Sequence, residues 1–163
     1  MDTNQHSNIA AKPAAAASAW PVANSNSTRW WLIGNIFRLG DRPAKSLPIY
    51  QKAINAFRLV NDYQKLSITL GNYAASLRAI NRTDEAIEII NEALAYTRAN
   101  NDLHAMTLNL MYLYDIFQVN KQVDAAGVVL EQAKANIKIL RTKYFANWIS
   151  LAEQQLAALR NQL

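Results

Sequence analysis

The sequence predicts an all-α fold, an α-solenoid of three helix-turn-helix repeats closed by a C-terminal capping helix. Three observations carry this. From residue 29 onward no stretch alternates strictly between apolar and polar, and apolar residues recur three and four positions apart. In that span proline occurs only at Pro43 and Pro48 and glycine at only four positions, so long helices go uninterrupted. The chain is also self-similar at a spacing of forty residues, which shows first as Asn61-Asp62 recurring at Asn101-Asp102.

Residues 1–28 come first. They have low complexity, two prolines and few large apolar side chains, so a flexible N-terminal tail is expected, with Trp20 as its one large anchor if it docks. Residues 29–163 form the repeat domain, with repeats over about 29–61, 62–101 and 102–141.

On the forty-residue period, columns form. Trp30, Leu70 and Leu110 share one, as do Ile33, Tyr73 and Leu113; Gly34, Ala74 and Tyr114; and Phe37, Leu77 and Phe117. After a short turn, Ser46, Ala86 and Ala126 align, then Tyr50, Ile90 and Leu130, then Ala53, Ala93 and Ala133. Each repeat is therefore two helices. Spacings of three, four and seven place these side chains on one stripe per helix, and small residues admit a neighbouring helix while large ones fill the groove beside it. Gly40 is expected to end the first helix in the left-handed conformation, and Pro43 suits the first turn of the second. Asp62, Asp84 and Asp102 stand where an N-cap or a first-turn anion is favoured. The last segment, 143–163, carries Phe145, Ile149, Ala152, Leu156 and Leu159 on one stripe, with Glu153, Gln154, Arg160 and Asn161 opposite. That pattern suits a helix covering the open end of a solenoid. Trp148, beside the stripe, admits a homodimer through the same helix.

These columns resemble the tetratricopeptide repeat: W-x-x-I-G-x-x-F at 30–37 followed by Ser46, Tyr50 and Ala53, and D-E-A-I-E at 84–88. The forty-residue period is similar to the long-repeat variant of that family. Tyr114 departs from the small residue expected in its column, which implies a wider helix contact there.

Composition excludes several classes of function. Cysteine is absent, so disulfides, thiolate metal sites and cysteine nucleophiles are excluded. There is no glycine-rich phosphate loop, nucleophile elbow or paired-carboxylate motif, and His6 and His104 have no partners in the pattern; no enzyme activity, cofactor or metal is expected. Glu85, Glu88 and Glu92 read as a solvated helix face. No apolar run is long enough to cross a membrane, and no signal-peptide pattern is present, so a cytoplasmic location is expected. The formal net charge is +5 without a basic run. A nucleic-acid partner is therefore not expected, although a basic adaptor for nucleic acid or another anion stays open as an alternative, as does a scaffold that self-associates through the last helix.

The resemblance implies a protein or peptide partner held in a concave groove lined by the first helix of each repeat. Stepping about 100° from the core columns assigns to that groove Trp31, Asn35, Arg38, Asn72, Arg78, Met111, Tyr112, Asp115 and Gln118. Arg38 and Arg78 suit a carboxylate or phosphate, Asn35 and Asn72 an extended backbone, and Trp31 and Tyr112 apolar contact. Related domains that grip the C-terminal carboxylate of heat-shock chaperones use three cations and two asparagines. At the matching places this chain has Trp31, Asn35, Asn72, Leu108 and Tyr112, so both asparagines match and all three cations are missing, which argues against such a ligand.

Overall fold

A computed structural model describes the backbone of residues 14–162 and the side chains of residues 26–162. Seven helices lie among the described residues: α1 (Ala14–Leu39), α2 (Pro43–Leu59), α3 (Tyr63–Ala79), α4 (Thr83–Ala99), α5 (Leu103–Val119), α6 (Val123–Leu140) and α7 (Ala146–Arg160). They form an α-solenoid in which α1–α2, α3–α4 and α5–α6 are antiparallel pairs. Of the segment read as an N-terminal tail to residue 28, residues 14–28 lie in the first part of α1, and residues 1–13 lie outside the described residues. The side chain of Trp20, the suggested docking anchor, lies outside the described residues.

The helices from α2 to α5 are each 17 residues long, and the turns between them obey one rule. Asp41, Asn61, Asn81, Asn101, Lys121 and Arg141, spaced twenty residues apart, all have positive φ, from 50° to 62°. After α2 to α5, the next amide bonds back to the carbonyl five residues earlier, as in Asp62 N–H to Phe57 O at 3.1 Å and Gln122 N–H to Phe117 O at 2.8 Å. The left-handed residue's own amide bonds three back, as in Asn61 N–H to Arg58 O at 3.2 Å. Together these make the Schellman closure, which satisfies carbonyls that a helix end otherwise orphans. Gly40, expected to supply the left-handed residue of the first turn, does not. Its φ is negative and Asp41 takes that place, because the twenty-residue spacing and not the most permissive residue sets the turn.

Asparagine tolerates this conformation better than lysine does, since its short amide bonds locally. Replacing Lys121 with asparagine, which the chain already uses at 61, 81 and 101, is expected to stabilise the fold by about 0.5–1 kcal/mol. Thermal denaturation should show Tm rising by about 1–3 °C; an unchanged or lower Tm would contradict the turn rule.

Two of the three expected anionic starts are side-chain caps: Asp62 accepts from the Lys65 amide at 3.1 Å and Asp102 from the Ala105 amide at 2.9 Å. Asp84 lies in the first turn of α4. Helix α2 begins on Pro43 and tolerates Pro48 within it.

The core is continuous in kind but divided in place. Ala53, Ile54, Phe57, Val60, Leu66, Leu70 and Ala93 join the first two repeats, and a larger cluster runs from Ala74 and Leu77 through Leu110, Tyr114 and Leu130 to Ala152, Leu156 and Leu159 of α7. The expected column of core residues holds at Leu70 and Leu110, which are fully buried. Trp30 departs from it. It is half-buried against the first cluster, with the Lys52 ammonium 4.8 Å from its ring centroid. Among the described residues α1 packs against α2 and α3, and no helix covers its other side. The same absence leaves Leu32 and Ile36 exposed, while their column-mates Asn72 and Ser76 are buried.

Candidate functional site

Helices α1, α3 and α5 share one face, and a chain of polar side chains crosses it. The Tyr50 hydroxyl, rising from α2, donates to Asn35 Oδ1 at 2.6 Å and accepts from Arg38 Nε at 3.3 Å. Asn72 Nδ2 donates to the same Asn35 oxygen at 2.9 Å, and the Tyr112 hydroxyl donates to Asn72 Oδ1 at 2.9 Å. Thus Asn35, Asn72 and Tyr112, one from each repeat, are joined end to end. A buried network is favourable only when its members are satisfied, and this one meets that condition at both carbonyls.

This changes the expected role of the asparagines. Asn72 was expected to face the groove and hold a peptide backbone. It is instead buried, and its oxygen and one of its amide donors serve neighbouring helices. Asn35 is half-buried, its oxygen is doubly occupied and its amide nitrogen makes no hydrogen bond among the described residues. It can donate to a ligand but has no free carbonyl. The signal for this was the matching forty-residue register of Asn72 and Tyr112 in the sequence, which makes a cross-helix pair.

Arg38, Arg78, Met111, Tyr112, Asp115 and Gln118 are all half-buried. Among the described residues neither Arg38 nor Arg78 forms an ion pair; the salt bridges that do form are Arg58–Glu92, Lys65–Asp62, Arg82–Glu85 and Lys134 with both Glu131 and Glu153. Burial pushes the Asp115 carboxyl above the usual carboxylate range, and the charge of Arg78 draws it partway back. Its charged form is therefore the costly one. The stability Asp115 contributes is fully present below the ordinary carboxylate range and is lost as pH rises through the raised value. Burial likewise raises the Tyr50 and Tyr112 phenols, opposed in both by Arg38.

Trp31 stands apart from this network. It lines a hollow of about 300 Å³ with Thr28, Gln64, Lys65 and Ile68, and its indole nitrogen is buried without a hydrogen-bond partner. Gly71, in the same column, leaves the space that Asn109 and the Tyr112 ring occupy. A larger hollow, about 950 Å³, lies between α6 and α7, where Gly127 takes the column of Leu47 and Ile87. Of its lining acids, Glu131 and Glu153 are both paired with Lys134. The A-helix face, where one polar chain joins all three repeats beside the unpaired Arg38 and Arg78, is the better candidate.

At the C-terminal end, Trp148 packs edge-on against Tyr114 with centroids 5.6 Å apart, so this side chain faces the repeats. His104 is exposed, its ring tilted against those of Tyr144 and Phe145. The outward glutamates behave as a solvated face, with Glu85 held by Arg82 and Glu92 by Arg58. Among the described residues no group of three or more acidic or histidine side chains is placed to hold a metal, and no helix is long and apolar enough to cross a membrane.

A family model described as tetratricopeptide repeat matches residues 26–99, which span α1 through α4 from the start of the described side chains. Neither the curated proteins nor the solved structures contain a match to the chain.

Proposed function

From the premise that this chain belongs to the tetratricopeptide repeat family, whose domains mediate protein–protein interaction, we propose that it is a non-enzymatic module holding an extended segment of a partner protein against α1, α3 and α5. The observation that carries the reading is the Tyr50–Asn35–Asn72–Tyr112 chain of hydrogen bonds. It fixes the three A helices relative to one another and presents one preorganised surface. On that surface Arg38 and Arg78 meet an acidic group, the Asn35 amide donates to the segment's backbone, and Tyr112 with Met111 supplies apolar contact.

The double variant Arg38→Glu plus Arg78→Glu tests this, compared in affinity capture with Glu88→Lys on the exposed outer face of α4. The groove variant is expected to lose captured partners that the outer-face variant keeps, with circular dichroism unchanged in both. Partners retained equally by the two variants would remove the A-helix face from the interaction.

A further inference from the structure

Asp115 stands differently from every other acid near it. It is half-buried on the groove side of α5, yet among the described residues it accepts no hydrogen bond and forms no ion pair. Arg78 on α3 acts on it through space without closing to a salt bridge. The remaining polar groups on this face are Arg38 on α1, whose Nε bonds the Tyr50 hydroxyl, Asn35 on α1, whose oxygen is doubly occupied, and Gln118, Tyr112 and Asp115 itself on α5. Between Asn35 and Asp115 the shared column holds only Ala75, so α3 offers no hydrogen-bonding side chain at that column and reaches Asp115 only through the more distant charge of Arg78. One turn before Asp115, Tyr112 has its hydroxyl fixed by Asn72, which holds its ring in place.

We infer that the α5 end of this face is a pocket for a basic side chain of the bound segment, its cation taken by the Asp115 carboxylate against the Tyr112 ring. This rests on the reading that the A-helix face binds an extended segment, and it gives that segment a direction: an acidic group lies over Arg38 and a lysine or arginine over α5. The physical reason is an unpaid cost. A desolvated carboxylate without a partner is unfavourable in the free protein, and burial already pushes this one toward protonation. An arriving cation compensates that penalty, and an aromatic ring beside it adds attraction. An acidic residue arriving at the same place meets repulsion.

The test uses the full chain and three pools of labelled peptides about ten residues long, which suffices to cross three helices packed about 10 Å apart. All have blocked termini and mixed flanking residues; the centre is fixed as Lys or Arg, as Asp or Glu, or as Gln or Ser. Fluorescence anisotropy at low salt is expected to show the basic-centred pool binding about tenfold tighter than the neutral one. The formal net charge of the protein, +5, pulls the other way, so such a preference cannot come from general attraction. Asp115→Asn, close to isosteric, should abolish the preference, and Asp115→Lys should move it to the acidic pool. Equal binding of basic and neutral pools, or a preference that survives Asp115→Asn, overturns the assignment while leaving segment binding intact. Binding of none of the pools overturns both readings.

Discussion

Tyr114→Ala is expected to destabilise the protein by about 3–5 kcal/mol and to release α7 before the rest unfolds. Tyr114 is fully buried, its ring lies nearly perpendicular to that of Trp148, and its hydroxyl donates to the Ala152 carbonyl at 2.7 Å. Truncation removes a large aromatic from beneath the capping helix and takes its one side-chain hydrogen bond with it. Helix α7 is short, 15 residues, and a helix of that length has little stability without tertiary packing. In a solenoid each unit touches only its neighbours, so the damage should stay local. Hydrogen exchange should then accelerate across Ala146–Arg160 well beyond its change in α1 to α4. Tyr114→Phe keeps the packing and loses the hydroxyl, and should cost only about 1 kcal/mol. Uniform loss of protection along the chain would show that α7 is not a separable cap.

The same residue shows what the sequence made legible. The forty-residue columns predicted the helix pairs, and Tyr114 stood out as too large for its column. Its reason was hidden because its partner is a backbone carbonyl 38 residues away, and a carbonyl leaves no mark in a sequence. The twenty-residue turn rule was legible in Asn61, Asn81 and Asn101, but Asp41, Lys121 and Arg141 disguised it: position, not residue type, sets their conformation. At the candidate site, periodicity placed Asn35, Asn72 and Tyr112 on neighbouring helices. It could not show that they bind one another, because a polar side chain at groove spacing reads alike whether it faces solvent or the next helix. The tandem tryptophan divides for a similar reason. Trp30 shares a core column yet stays half-exposed because no described helix packs over that side of α1, and Trp31 lines a hollow apart from the polar network.

Gly34→Ala should lower stability even though alanine is the better helix former. Helix propensity alone favours alanine by about 1 kcal/mol. Against it, a β-carbon at position 34 would lie 2.6 Å and 2.7 Å from two ring carbons of Tyr50. That ring cannot move aside cheaply. It is fully buried, and its hydroxyl is held by Asn35 and Arg38. Overpacking at such a site costs about 1–3 kcal/mol and sometimes more, so the net change in urea denaturation is expected to be a loss of up to about 2 kcal/mol once the propensity gain is subtracted. The second repeat shows how the chain itself solves the same contact: Ala74 stands where Gly34 does, and Ile90 where Tyr50 does, a larger residue on one helix matched by a smaller one on the other. Combining Gly34→Ala with Tyr50→Ile should therefore cost less than the sum of the two single changes, by about 1 kcal/mol or more. A stabilising Gly34→Ala, or strict additivity in the double variant, would mean that the two positions do not share one packing contact. Either result would also loosen the tie between the first helix pair and the polar network, since Tyr50 is the residue through which α2 enters it.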